Sequence, residues 1–194
     1  MTWTIEKLPP YHALEVKVRT EECAMAAADS LAETVREHIR REASGRHRPA
    51  SRLGAMPTHH LERGARETVA TRSGRQAVVT VPIPGITRAF GDLHIRPQNA
   101  RALTIPINAV SYGVRAPELA DRGWSLFTLP AREGPGAGVL FGRQAGQGST
   151  VALYLLRASA DIPQDRGLMP SDEEMGEAIT YGVTMAIEAE RFAS

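Results

Sequence analysis

Residues 170–190 read PSDEEMGEAITYGVTMAIEAE, and the rest of the chain is best read outward from them. Ser171 stands three residues before Glu174, the spacing at which a hydroxyl and a carboxylate satisfy each other's orphan backbone N–H groups at a helix start. Met175, Ile179, Val183 and Ile187 follow at four-residue steps. Gly182 and Ala186 lie beside that row and leave room for a close neighbour. The spacing predicts a helix over residues 172–190.

A longer helix is predicted near the other end, over residues 21–43. Cys23, Ala27, Leu31, Val35 and Ile39 trace one apolar stripe, Thr20 can cap it, and Glu21 and Glu22 place negative charge at the positive end of the helix dipole. On its outer face Glu33 pairs with Arg36 and Glu37 with Arg41, worth about 0.2–0.5 kcal/mol each, which makes them solvated decoration. Ser44 and Gly45 stop the helix.

Between the helices lie strand signals. Residues 14–19 (LEVKVR) alternate apolar and polar side chains, and in 77–83 (AVVTVPI) Val79, Val81 and Ile83 point one way while Val78, Thr80 and Pro82 point the other. Pro82 marks an edge or a strand end. Further strands are expected at 103–106, 125–129, 139–141 and 150–156. A brief helix is expected over 61–70, from Leu61, Ala65 and Val69 at four-residue spacing.

Glycines divide residues 132–148 around Val139-Leu140-Phe141 as in a hairpin with a mobile connection. Gly85 and Gly91 flank residues 86–90, read as a β-arm with 103–106 as its partner. The expected fold is α+β: a small, mostly antiparallel sheet, a long N-terminal helix, a C-terminal helix, and extended loops or a β-arm. One domain is expected over 1–194: strand and helix at 14–43, a flexible basic loop at 44–60, a sheet region at 61–158, and the capped helix at 171–190.

Composition limits the function. An apolar share of 42% against 23% charged residues is that of a folding chain, so disorder is excluded as a way of working. Net charge is +1, so no bulk field drives the protein onto nucleic acid or an anionic membrane. The single cysteine, Cys23, rules out an intrachain disulfide and a Cys-rich zinc site, which fits a reducing cytoplasm. The opening MTWTIEKLPPYH lacks a basic segment followed by an apolar run, and no stretch approaches the ~18 apolar residues of a membrane span. Neither export nor membrane insertion is expected.

Motifs for chemistry are weak. His59 and His60 are adjacent, without the HExxH spacing that lets two imidazoles share one ion, and read as an ordinary loop pair. His94 sits in a Gly/Pro-flanked turn region and needs no catalytic role. Cys23 falls on the apolar stripe of the first helix, where packing explains it better than nucleophilic work. GxSxG, GxxxxGK[ST] and a strand-linked GxGxxG are missing, and Gly134, Gly136 and Gly138 read as a flexible loop. Asp172, Glu173 and Glu174 are explained by the helix dipole.

Electrostatic weight lies in Arg40, Arg41, Arg46, Arg48 and Arg52, continued by Arg63 and Arg66. A solvated face is the plain reading, pairing with acidic surface on another subunit the next, and contact with packaged DNA the third. This stretch has no aromatic side chains for stacking bases, which argues against a single-strand binder.

Residues 84–119, PGITRAFGDLHIRPQNARALTIPINAVSYGVRAPEL, carry Gly85-Ile86, Arg88, Gly91, Ile95, Ala102-Leu103-Thr104-Ile105-Pro106 and Ser111-Tyr112-Gly113-Val114-Arg115-Ala116. Asp161-Ile162-Pro163, followed by Leu168-Met169-Pro170-Ser171-Asp172-Glu173-Glu174, completes the set. In these features the chain resembles the Mu-like prophage family of virion morphogenesis or tail-completion proteins, over about residues 61–187. It departs from that pattern at Asp92, where a second Gly is usual, and at Val114, where Lys is usual.

The resemblance implies a structural role in a tailed-phage virion, as a neck, tail-completion or head–tail connector subunit. It implies a cyclic homo-oligomer that meets other neck, portal or tail proteins, with assembly in the bacterial host cytoplasm. No enzymatic activity, cofactor, metal, membrane or small-molecule substrate is expected. Interface residues are expected at Arg88, Arg96, Arg101, Tyr112 and Arg115, with a core or turn role equally open to Tyr112. The alternative is a DNA-contacting particle protein that uses Arg40, Arg41, Arg46, Arg48 and Arg52. A third reading, an assembly hydrolase, has no recognisable nucleophile or metal set to support it.

Overall fold

The computed structural model describes residues 4–8, 13–17, 21–46, 48–73, 76–130 and 137–193. In chain order the first half holds β1 (Thr4–Leu8), β2 (Ala13–Lys17), α1 (Glu21–Ala43), α2 (Arg48–Arg52), α3 (His60–Arg66), β3 (Val69–Ser73), β4 (Gln76–Thr80) and β5 (Leu93–Ile95). The second half holds β6 (Leu103–Pro106), α4 (Ala116–Asp121), β7 (Trp124–Pro130), β8 (Gly138–Gln144), β9 (Thr150–Arg157), β10 (Ala160–Ile162) and α5 (Asp172–Ala193). The fold is α+β and every strand pairing is antiparallel. The described chain is organised as two compact units.

The first unit comprises Met1–Ser44, His59–Gly91 and Gln164–Ser194. Its sheet has the order β1-β2-β4-β3, with α1 on the sheet and α5 packed along α1. Both helices show the expected stripes. Cys23, Ala27, Leu31, Val35 and Ile39 are buried together with Ala24, Ala28, Ala32 and Ala43, and Met175, Ile179 and Val183 meet them from α5. Alanines keep the helix surfaces low, and Gly182 removes the last obstruction. A Cβ there would lie 2.4 Å from the Ala26 carbonyl oxygen, so only glycine fits. The cap of α5 forms as the sequence predicts: the Ser171 N–H donates to Glu174 at 2.8 Å and the Glu174 N–H to the Ser171 hydroxyl at 3.1 Å.

Arg36 does more than decorate. Besides its 2.6 Å pair with Glu33, its Nε and Nη2 donate to the Thr68 carbonyl at 3.1 and 2.7 Å, tying α1 to the chain that enters β3. Along β4 and the residues after it, Ala77, Val79, Val81 and Ile83 are buried while Thr80 and Pro82 are exposed, the expected alternation.

Several expectations are corrected. Residues 86–90 do not form a β-arm: Ile86–Ala89 is a 3-10 helix whose Ile86 and Ala89 are buried, and Gly85, at φ 76°, supplies the left-handed turn that starts it. Strand β6 pairs with β9 instead. The basic loop at 44–60 contains a 3-10 turn, Ser44–Arg46, and α2, with Ala50 buried. Residues 61–70 divide into α3 and the start of β3, because Glu67 and Thr68 end the helix before Val69. The Thr20 cap and the 131–136 connection lie outside the described residues.

The second unit comprises Gly45–Thr58 and Asp92–Pro163. Its main sheet has the order β6-β9-β8-β7, and β5 and β10 form a separate two-stranded ribbon. One face of the main sheet builds a small core from Leu140, Leu153 and Tyr154, closed by Leu119 of α4 and flanked by Val114, Trp124, Leu126 and Val151. Past β6 the ladder to β9 continues, the Leu153 carbonyl accepting from the Ile107 N–H at 2.9 Å and from the buried Ser111 hydroxyl at 2.6 Å, while on its other edge β9 bulges at Leu153 against β8.

Candidate interaction surfaces

Strand alternation gives the second unit's sheet a second face, and that face is apolar as well. The register places Phe127 opposite Phe141, Leu129 opposite Val139, Val139 opposite Leu155, and Leu155 opposite Ile105. All point away from the Leu140–Tyr154 side. Leu129 is 56% exposed, Phe127 41% and Ile105 37%, with Val139, Phe141 and Leu155 half-buried beside them. The two phenyl rings stack with centroids 5.9 Å apart and planes inclined by 16°. Arg143 and Arg157, both exposed, stand on the same face at opposite ends of β8 and β9.

A second surface runs along α5 in the first unit. Glu177, Tyr181, Met185, Glu188 and Phe192 recur at three- and four-residue steps, so they share an arc of about 80° on a 3.6-residue helix. The three apolar members are 63, 47 and 92% exposed. Asp172, Glu173, Glu174, Glu177, Glu188 and Glu190 make this helix strongly acidic against a single Arg191.

Beside it, α1 and α5 bound a groove lined by Glu33, Glu37, His38, Arg41, Glu174, Glu177 and Tyr181. The His38 ring lies 3.1 Å through Nε2 from the Gly167 carbonyl and 3.1 Å through Nδ1 from Arg41. The carboxyl of Glu174 is held below its ordinary value chiefly by the Ser171 N–H, then by the Ser171 hydroxyl, with His38 and Arg41 adding positive charge nearby.

The two units differ in charge. The second holds ten arginines against five acids, a surplus of +5, whereas the first holds thirteen Lys and Arg against seventeen acids, −4. The net +1 of the whole chain conceals this division.

The arginines singled out in the sequence do not form one cluster. Arg88 belongs to the first unit and binds Asp165 at 3.2 Å, while its carbonyl accepts the Asp165 N–H at 2.7 Å; both are structural ties. Arg96 donates through Nε to His94 Nε2 at 3.0 Å, and the other ring nitrogen meets Asp161 at 2.5 Å, bracing the β5–β10 ribbon. Arg101 is exposed, and Tyr112 is half-buried at the end of a 3-10 turn. Arg115 holds the N-cap position of α4 and donates through Nε to Glu118 at 2.5 Å, which raises its own affinity for the proton and lowers the pKa of Glu118.

The basic run is likewise divided. Arg40 and Arg41 lie in the first unit, 3.9 Å from Glu33 and Glu174 respectively; Arg46, Arg48 and Arg52 lie in the second. His59, at φ 49°, precedes α3 and meets Glu62 at 3.0 Å.

Among the described residues no group of three or more His, Cys, Asp or Glu side chains is placed to hold a metal ion, and no helix is long and apolar enough to cross a membrane. Compared with protein-family models, curated proteins and solved structures, the chain matches none. The surfaces missed from sequence are the apolar ones. Their signal was that residues 125–129 (SLFTL) carry large apolar side chains on both faces of one strand.

Proposed function

We propose that the chain is a non-enzymatic structural subunit of a tailed-phage particle, at the neck, tail-completion or head–tail connector position, that works by closing into a ring with copies of itself. One observation carries this reading: the second face of the β6-β9-β8-β7 sheet presents Ile105, Phe127 and Leu129 to solvent around stacked phenyl rings. Such a face in a small domain is costly to leave in water and marks a place where another surface packs. The segment that resembles the tail-completion family contributes β6 to this sheet. The opposite charges of the two units suit a contact in which unlike surfaces meet, the kind that closes rings.

The same reading makes the virion the site of action and other neck, portal or tail proteins the further partners. Mass measurement of the purified chain, alone and with particle extracts, tests it. A ring-sized species or a virion-bound complex is expected; a persistent monomer that joins no particle component, or turnover of a substrate by the isolated chain, refutes it. Contact with packaged DNA is a second reading, favoured by the +5 surplus of the second unit and by exposed Arg52, Arg96 and Arg101. It requires binding to random duplex that weakens steeply with salt.

A further inference from the structure

We infer that the ring contact seats the outer face of α5 from one copy on the open sheet face of the next, an assignment that rests on the ring reading above. Each surface carries what the other lacks. The sheet offers an apolar centre, Phe127, Leu129 and Ile105, with Arg143 at one end and Arg157 at the other. The helix offers Tyr181 and Met185 between Glu177 and Glu188.

The lengths agree. Thr150, which pairs with Arg143, and Arg157 are seven residues apart on β9, one of which the bulge takes up, so the span is about 20 Å at strand rise. Glu177 and Glu188 are eleven residues apart, about 17 Å at helix rise, and an arginine side chain leaning inward from each end covers the difference. Laid along the strands, the helix would set acid against base at both ends and apolar against apolar between. The occupant is a second copy because the chain itself carries the complementary stripe, and because the helix has six acids against one arginine while the unit bearing the sheet has a surplus of +5. Two sheet faces or two α5 faces brought together would oppose like charges. The contact is therefore head-to-tail, and each copy keeps one free surface of each kind until the ring closes.

Two variants of the full chain test this, Phe127→Lys with Leu129→Lys on the sheet and Tyr181→Lys with Met185→Lys on the helix, all at exposed positions. By light scattering each alone is expected to run as a monomer at concentrations where the unchanged chain assembles. Mixed one to one, they are expected to form a dimer and nothing larger, since one intact helix face and one intact sheet face remain per pair. A charge exchange guards against misfolding of the first set. Arg143→Glu with Arg157→Glu, or Glu177→Arg with Glu188→Arg, should each weaken assembly at least tenfold, and the four changes in one chain should restore it.

If the unchanged chain assembles and the variants assemble equally well, or their mixture stays monomeric, this contact is wrong while self-assembly stands. If the unchanged chain stays monomeric alone and with particle extracts, the ring reading falls and this inference with it.

Discussion

Replacing Gly182 by alanine adds one methyl group at the tightest point between α1 and α5. Its carbon would lie 2.4 Å from the Ala26 carbonyl oxygen, 2.8 Å from that carbonyl carbon and 2.9 Å from the Ala27 Cα. Ordinary contact begins near 3.5 Å, so the helices must part by about 1 Å. All three obstacles are backbone atoms in the middle of a helix, so no side chain can swing aside. Overpacking of this kind costs about 1–3 kcal/mol, and the rigidity of the neighbour argues for the upper end.

Alanine returns about 1 kcal/mol through its better helix propensity, leaving a net loss near 2 kcal/mol. For a protein of this size that corresponds to a melting temperature lower by about 4–8 °C. Thermal unfolding followed by far-ultraviolet ellipticity measures it, with Thr184→Ala on the exposed side of the same helix as the control, expected within about 0.5 kcal/mol of the unchanged chain. A Gly182→Ala chain as stable as the original would refute the close-packed crossing on which the first unit rests.

Other expectations follow from single contacts. Ser171→Ala removes the cap of α5 and should cost about 1 kcal/mol in denaturant titration. Because Glu174 is held below its ordinary pKa of 4.5 in the folded chain, its contribution is present above that value and lost as pH falls through the folded pKa. The Ser171→Ala chain should therefore show a shallower loss of stability on acidification. Tyr154→Phe deletes a 2.7 Å hydrogen bond to the Val114 carbonyl and leaves that acceptor without its donor, an expected loss of about 1–2 kcal/mol from the second unit. Burial, and then the charge of Glu118, push the Tyr154 hydroxyl above its ordinary value of 10. Stability from this group should hold below pH 10 and decline as pH rises through the folded pKa, as read by tyrosinate absorbance. Arg88→Ala breaks the tie to Asp165 and should lower the melting temperature of the first unit while leaving the proposed self-association unchanged, whereas an interface role would reverse that order.

What could be read in advance was set by period and punctuation. α1 occupies the expected residues because an alanine-rich stripe ends at Ser44 and Gly45, two residues that stop a helix. α5 runs to Ala193, past the expected end, because Arg191 and Phe192 do nothing to break it. β3 was hidden because Val69 continues the four-residue spacing of Leu61 and Ala65 by coincidence. β5 and β10 are three residues long, too short for alternation to register. α4 escaped notice although Pro117 and Glu118 form a recognisable helix start.

The interaction surfaces were hidden for a different reason. Alternation tells which residues share a face of a strand, but not which of two apolar faces the fold covers. Charge alone singles out Arg88, Arg96 and Arg115, each of which pairs within the chain, whereas the exposure of Phe127, Leu129 and Tyr181 emerges only from the fold.

The charge division between the units also decides what each force can contribute to assembly. At physiological ionic strength the Debye length is about 8 Å, so a +5 unit and a −4 unit attract appreciably only at close approach. Such a field orients the encounter and penalises like-on-like pairing, but it adds little to the strength of the final contact. Strength has to come from apolar area removed from water, at about 25 cal/mol per Å². In the proposed contact that area would come from the exposed phenylalanine and leucine on the sheet and the tyrosine and methionine on α5. Under the proposed ring contact, raising salt should consequently slow assembly far more than it loosens what has assembled, whereas a contact held mainly by ion pairs would come apart in the same salt.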